Sequence, residues 1–506
     1  MPLRLGPAES FHSVREFLTQ SGYSEEFLLE HFRVPALHAF LNPVGAVRDY
    51  LDRNYQGSDV RLLLARLFIG GYSAARADLE KHIPTPALRA MEALGLLELV
   101  ESGGWCSPCI LYPIGDLYVV SDLSGRMETS GYKEKDFCMT GIEEICRDFV
   151  DSFPRRPCNR FLDMGTGSGL AALVGSLQAE EAYGVDITER AIHYAQFNAL
   201  LNGRTNLHFR QGDMFEPVKD LQFDRMVCNP PFEPPLKQGM IYSVGGEDGE
   251  ALVARFVQEG VPLLAPGGRM YLTVTASDRE GESFDQRVDR WLGEYASECD
   301  VAIYPHSEMK PEDYASQQVL GTNLDSWKIV EYQMFYAKLK AYRILVGQVI
   351  IEKRSSNRPV VRLRRNYGPA TTHREREWLL EWEQRMIQPD TEELLMNAVP
   401  VFGENWHLRV RHGIKDNHLA ALDYAFLSEH PFEAELTVPA WMARLVSECK
   451  GKDSLGDLYR VLSEKMPLPK SDFLRAAGAL IGVDIIRIPG CEPPAAAAPS
   501  KVRKGY

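Results

Sequence analysis

A chain of 506 residues exceeds what one ordinary hydrophobic core accommodates, and length alone predicts about three domains. Apolar residues at 45% and charged residues at 25% describe a globular protein rather than a disordered one. The formal net charge of −14 disfavours a surface that grips nucleic acid over its whole extent, while a local basic face stays open. Nine scattered cysteines fit reduced thiols better than a disulfide scaffold. The start, Met1 to Gly6, leads into polar residues without a secretory apolar segment. No apolar run approaches the roughly 18 residues of a membrane span, so a cytoplasmic protein with no membrane partner is expected.

Residues 1–125 read as a helical, winged-helix-like N-terminal module. Phe17, Leu18, Phe27, Leu28, Leu29 and Phe32, then Leu62, Leu63, Leu64, Leu67 and Phe68, recur at helical spacing. Thr85-Pro86-Ala87-Leu88 predicts another helix start, with proline in the first turn. Two strand-like runs follow, Leu97 to Val100 and Leu117 to Asp122, separated by Ser102-Gly103-Gly104.

Over 126–352 short apolar runs alternate with longer helical stretches. Arg160 to Met164, Ala182 to Asp186, Leu207 to Gln211, Phe223 to Cys228, Arg269 to Val274 and Arg343 to Glu352 are the strand candidates. Helices are predicted over 170–177, 189–202 and through Leu252, Phe256, Val257 and Leu264. Such alternation implies right-handed crossovers and an α/β fold, a parallel sheet with helices on both faces. Residues 353–395 are a charged linker or extension, 396–490 a smaller mixed C-terminal domain, and 491–506 a Pro/Ala-rich, then basic, tail expected to be disordered.

Chemistry concentrates at the ends of the core strands. Asp163-Met164-Gly165-Thr166-Gly167-Ser168-Gly169 follows the first run and opens a helix. Glycines there permit a sharp turn and close ligand approach, and the helix start offers unpaired N–H groups to an anion. Asp186-Ile187 ends the second run, where a carboxylate can accept from both ribose hydroxyls. Gly212-Asp213-Met214 follows the third. Up to here an NAD site and an S-adenosylmethionine (SAM) site fit equally, and helix caps or turns explain each aspartate individually.

Asn229-Pro230-Pro231-Phe232 follows the fourth run. Two prolines end the ladder and stiffen the turn, so that the Asn229 side-chain oxygen and the Pro230 carbonyl stand as fixed acceptors. Both can bind the hydrogens of a planar amide or aromatic amine, and Phe232 can stack on its face. The lone pair of such a nitrogen is delocalised; two acceptors favour pyramidalisation and stabilise the charge that develops as it attacks.

Taken together, residues 158–275 resemble the class I SAM-dependent methyltransferases with an N-P-P-[FY] loop. These include the release-factor glutamine methyltransferases and the adenine-N6 and guanine-N2 methyltransferases of nucleic acids. The resemblance implies a Rossmann-like core with a mostly parallel seven-stranded sheet and SAM as cofactor. It implies cofactor contacts from Asp163, Gly165, Thr166, Gly167, Gly169, Asp186, Ile187, Asp213, Met214 and Asn229. Asn229 to Phe232 correspond to its catalytic loop, and Gly245-Gly246-Glu247-Asp248-Gly249 is similar to a stretch that follows it. The acceptor expected is a protein glutamine or a nucleic-acid base, recognised through the flanking modules. The alternative is a small natural product. The front module and the more than 130 residues after the core resemble long bacterial methyltransferases with flanking domains.

Trp105-Cys106-Ser107-Pro108-Cys109 has the spacing of a redox motif, but no helix start follows it, and a hairpin turn is expected. No metal site is expected: this single cysteine pair is a weak zinc signal, and His407, His412 and His418 lack a ligand arrangement. The basic stretch from Lys353 to Arg376 suits phosphate contacts or an ion-paired surface equally.

Overall fold

The computed structural model describes residues 3–36, 38, 50–51, 53, 59–101, 103–122, 136–232, 234, 245–320, 326–369, 371–415 and 417–495. The tail expected from 491 lies outside them from residue 496 onward. The chain divides into two compact units, Met1–Gly293 with Pro311–Tyr342, and Glu294–Lys310 with Arg343–Ser500.

The first unit begins with helix α1 (Ala8–Ser21), continues through α2 (Val60–Phe68) and α3 (Thr85–Ala93), and turns into a hairpin. Gly22 ends α1 in the left-handed conformation, Asp59 caps α2 through the Arg61 N–H, and α3 has proline in its first turn. Strands β1 (Cys109–Ile114) and β2 (Leu117–Asp122) pair antiparallel, Ile114 against Leu117. The run at Leu97–Val100 contributes only Glu98–Leu99, which pairs with Trp105–Cys106. Strand β1 escaped the sequence reading because Pro113 interrupts its apolar run and weakens the strand signal, whereas the equally buried β2 carries no proline.

Five strands follow: β3 (Cys158–Met164), β4 (Ala179–Asp186), β5 (Leu207–Gln211), β6 (Phe223–Cys228) and β7 (Leu264–Arg279). They lie parallel in the order β5-β4-β3-β6-β7. Register aligns Met164 with Val185 on one side and with Cys228 on the other. The chain reverses direction of travel at β3, and the crevice beyond the carboxyl ends there is where doubly wound sheets bind ligands. Helices α4 (Glu144–Val150), α5 (Leu170–Gly175), α6 (Glu189–Leu201), α7 (Ala251–Gly260) and α8 (Phe284–Leu292) complete this part. Thr188 caps α6 by accepting from the Ala191 N–H.

One face of α6 is polar yet buried. Arg190, Tyr194, Asn198 and Asn202 recur every four residues, each 5% exposed or less. They meet alternate residues of β2. Asn202 brackets Tyr118, its Oδ1 accepting the N–H at 2.9 Å and its Nδ2 donating to the carbonyl at 2.7 Å. Asn198 brackets Val120 in the same way at 2.8 Å each. Arg190 and Tyr194 both donate to the Asp122 carboxylate, Arg190 Nε and Tyr194 Oη at 2.8 and 2.6 Å. Four helical residues rise about 6 Å and two strand residues about 6.7 Å, so the two repeats stay in step over three rungs.

In the second unit β8 (Cys299–Met309) pairs antiparallel with β9 (Ala341–Lys353) and parallel with β10 (Arg362–Arg364). A three-stranded antiparallel sheet follows, β11 (Trp406–Lys415), β12 (His418–Ser428) and β13 (Ala434–Val438), with helices α9 (His373–Met386), α10 (Ala440–Glu448), α11 (Leu455–Ser463) and α12 (Lys470–Ile481). Three arginines of the basic stretch are held by partners in the same unit. Arg358 bonds Asp300, Arg364 bonds Glu308, and Arg362 donates to the carbonyls of Cys299 and Ala296. Among the described residues no helix is long and apolar enough to cross a membrane.

Candidate active site

The carboxyl ends of β3, β4 and β6 open onto a cleft of about 460 Å³ in the first unit. Its lining includes Asp163, Gly165, Thr166, Gly167, Asp186, Ile187, Asp213, Met214 and Asn229 to Phe232. Of the residues singled out in sequence, Gly169 alone stands back from the lining. At φ +81° it starts α5, and a Cβ there would fall 2.9 Å from the Ala195 Cβ, so it serves close packing of α5 on α6. Gly167 differs: its φ is +53°, and a Cβ there would meet nothing within 4 Å, so packing does not require glycine at this position.

Asp163 is buried and faces the loop it precedes. One carboxylate oxygen accepts from the Thr166 hydroxyl at 2.7 Å and from the Ala172 N–H at 3.0 Å. Burial pushes its pKa up to about 7, against the two hydrogen bonds, with the nearby Asp186 charge adding to the rise. It therefore ties the glycine loop to the first turn of α5. Asp186 is half-buried; one oxygen accepts from the Gly167 N–H at 3.0 Å and the other from the Thr188 N–H and hydroxyl at 2.9 and 3.0 Å. Thus the loop and the acidic residue, separated by a whole crossover, are held at one fixed spacing.

Asp213 is exposed and forms a fork with Arg255 of α7, two contacts of 3.1 Å, while Arg255 also holds Glu259 at 2.8 Å. Met214 adopts a left-handed φ of +48° beside it. Asn229 directs Oδ1 at the Thr273 hydroxyl of β7, which donates to it at 2.9 Å. Just behind this loop runs Gly245 to Glu250. A Cβ on Gly245 would lie 2.8 Å from the Pro231 carbonyl oxygen, so only glycine lets the two loops touch. Glu250 anchors that second loop from within the core. It is 2% exposed and accepts from the Ser277 N–H and hydroxyl and from Arg287 Nε and Nη2, all at 2.9–3.0 Å.

The sequence reading missed Thr273, Arg255, Glu250 and Arg287, and with them the roof of the cleft, Asp136 to Met139 with Gly141. Thr273 sits mid-strand in an apolar run with nothing local to mark it. Glu250 and Arg287 are 37 residues apart, and no local pattern marks them as partners.

Residues 133–295 match the family described as methyltransferase small domain. Relatives of the chain include the release factor glutamine methyltransferase of Thermodesulfovibrio yellowstonii, 33% identical over 129 residues, which are 23% of this chain and 46% of that protein. The ribosomal protein uL3 glutamine methyltransferase of Bordetella pertussis is 31% identical over 184 residues, 33% of this chain and 62% of that protein. The tRNA1(Val) (adenine(37)-N6)-methyltransferase of Vibrio campbellii is 33% identical over 123 residues, 22% of this chain and 49% of that protein. The chain thus spans less than two thirds of each of these relatives. The matched segment contains the roof, the glycine loop, both strand-end aspartates and the Asn-Pro-Pro-Phe loop, while the whole second unit beyond residue 295 falls outside the match.

Proposed function

We propose that the chain is a SAM-dependent N-methyltransferase whose acceptor is a planar amide or exocyclic amine nitrogen of a macromolecule. One observation carries this: Asn229-Pro230-Pro231-Phe232 opens onto the same cleft as the glycine loop and Asp186. The residues present suit the cofactor. The cleft has the volume of a small-molecule site, is largely apolar, and presents the uncrowded Cα of Gly167 and a half-buried Asp186, whose Gly167-bonded oxygen retains an acceptor direction. Asp186 would take the ribose hydroxyls. Asp213, with Ile187 and Met214 beside it, would take the adenine amine.

Bound SAM supplies an electrophilic methyl group whose sulfur departs as a neutral thioether when the acceptor nitrogen bonds the methyl carbon. The chain's own residues bind and orient. The Asn229 Oδ1 accepts one bond from Thr273 and retains a second acceptor direction for an N–H of the substrate. The Pro230 carbonyl accepts the other N–H, and Phe232 covers the flat face of the group. Asn229 cannot act as a base; it stabilises the positive charge developing on nitrogen. Holding the nitrogen in line is the larger contribution, up to about 7–11 kcal/mol for well-aligned reactants.

The macromolecular acceptor is supported by the relatives, named for release factor, ribosomal protein and tRNA. Residues outside 133–295 would recognise it: the N-terminal module, expected over 1–125, and the region expected as a mixed domain over 396–490. Incubation with methyl-labelled SAM and fractionated cell extract, beside Asn229→Ala, tests the reading. Asn229-dependent label in protein or nucleic acid supports it and names the polymer. Label confined to small molecules overturns the macromolecular acceptor, and label independent of Asn229 overturns the role of the loop.

A further inference from the structure

The roof of the cofactor cleft is held from outside the parallel sheet. Asp122, the last residue of hairpin strand β2, exchanges two bonds with Cys138: its N–H donates to the Cys138 carbonyl at 3.2 Å, and its carboxylate accepts the Cys138 N–H at 2.8 Å. Tyr112 of β1 accepts the Gly141 N–H on its hydroxyl oxygen at 2.6 Å. A Cβ on Gly141 would fall 2.7 Å from that oxygen, so the roof lies against the hairpin with no room between. The wall of the cleft is held by the same assembly, because Asn198, which brackets Val120, also donates to the Ser168 carbonyl at 2.8 Å. Cys138, Gly141 and Ser168 all line the cleft.

We infer that the β1–β2 hairpin is a working part of the cofactor site, with Tyr112, Asp122 and Asn198 as positioning residues that set its affinity for SAM. None of the three lines the cleft itself. Each acts through a backbone group that does: Tyr112 through Gly141, Asp122 through Cys138, Asn198 through Ser168. The physical reason is that isolated loops bind weakly when the ligand must order them, and a preordered roof removes that cost. The N-terminal segment, on this view, does more than meet the acceptor; displacement of the hairpin by an acceptor or partner would change cofactor affinity. This rests on the reading of the cleft as a SAM site.

The test uses the full chain and SAM itself, with binding followed by calorimetry well below the melting temperature. Tyr112→Phe removes only the oxygen that receives the Gly141 N–H. Tyr23→Phe is the matched control: it is equally buried and donates its hydroxyl to the Leu111 carbonyl of the same hairpin at 3.1 Å, not to a described residue of the roof. Tyr112→Phe is expected to weaken SAM binding about tenfold, since it strands a buried N–H of the roof. Tyr23→Phe is expected to leave the dissociation constant unchanged while lowering the melting temperature comparably. Equal affinities for Tyr112→Phe and the unaltered chain, or equal losses in both variants, overturn the inference and leave the hairpin a stabilising element only. Absence of SAM binding by the unaltered chain overturns the cofactor reading and this inference together.

Discussion

Thr273 donates its hydroxyl hydrogen to the Asn229 side-chain oxygen at 2.9 Å, joining the middle of β7 to the loop that ends β6. The contact fixes the amide plane of Asn229 and leaves its oxygen one free acceptor direction. Thr273→Val keeps the shape and removes the donor. It is expected to lower methyl transfer about tenfold while SAM affinity stays unchanged, the loss of one orienting hydrogen bond. Single-turnover rates at saturating SAM measure this; an unchanged rate would show that the prolines alone orient Asn229.

Asp186 and Asn229 should separate binding from chemistry. Asp186→Ala removes the acceptor that spans the Gly167 N–H and the Thr188 cap, and is expected to weaken SAM binding about 10- to 100-fold, the size of one or two charge-assisted hydrogen bonds. Asn229→Ala is expected to abolish turnover with little change in SAM affinity. Calorimetry and labelled-methyl transfer on both variants check the split, and a large affinity loss in Asn229→Ala contradicts it.

Two glycines of one loop should respond differently to alanine. Gly169→Ala forces a Cβ within 2.9 Å of Ala195 in addition to a left-handed backbone, so a loss of about 2–4 kcal/mol in stability is expected. Gly167→Ala bears the backbone strain alone, about 1–2 kcal/mol, and its new methyl group projects into open space at the cleft. Chemical denaturation ranks the two; SAM binding should suffer in Gly167→Ala even where the fold survives.

Asp163 predicts a pH dependence of stability. Its folded pKa lies near 7, raised by burial above about 3.9 in the unfolded chain. Between those values the folded state holds a proton that the unfolded state has released. Raising the pH through that window therefore lowers stability, by at most about 1.4 kcal/mol per pH unit, and no further loss comes above it. Asp163→Asn removes this contribution. Measured by urea denaturation, the variant is expected to gain on the unaltered chain at pH 8 relative to pH 5; a difference that does not move with pH rules the account out.

Asn202→Ala tests the docking of the hairpin on α6. It leaves the N–H and carbonyl of Tyr118 without their side-chain partners in a buried setting. About 2–4 kcal/mol of stability should be lost, two unsatisfied backbone groups' worth. A loss below about 1 kcal/mol, the size of an ordinary surface substitution, means that water replaces the amide.

Strands β3, β4, β5 and β6 were legible as apolar runs bounded by turn chemistry, because side-chain periodicity and glycine or proline geometry act within a few residues of chain. The glycine loop and Asn229 to Phe232 were legible for the same reason: their chemistry is written in consecutive residues. Strand β1 was not, since Pro113 breaks the run that would otherwise read as a strand. Nor were the pairings of Thr273 with Asn229, of Arg287 with Glu250, or of Asp122 with Arg190, which join residues 37 to 68 apart. The four-residue repeat of Arg190, Tyr194, Asn198 and Asn202 stood in the sequence, but a polar helical stripe usually faces water. Only the folded chain, by laying β2 along that stripe at a matching repeat, turned it inward and gave its hydrogen bonds partners. Local sequence determined which residues could do chemistry here. Tertiary structure decided which of them are held still, because a buried donor and its acceptor can be chosen for one another only after the chain has brought them together.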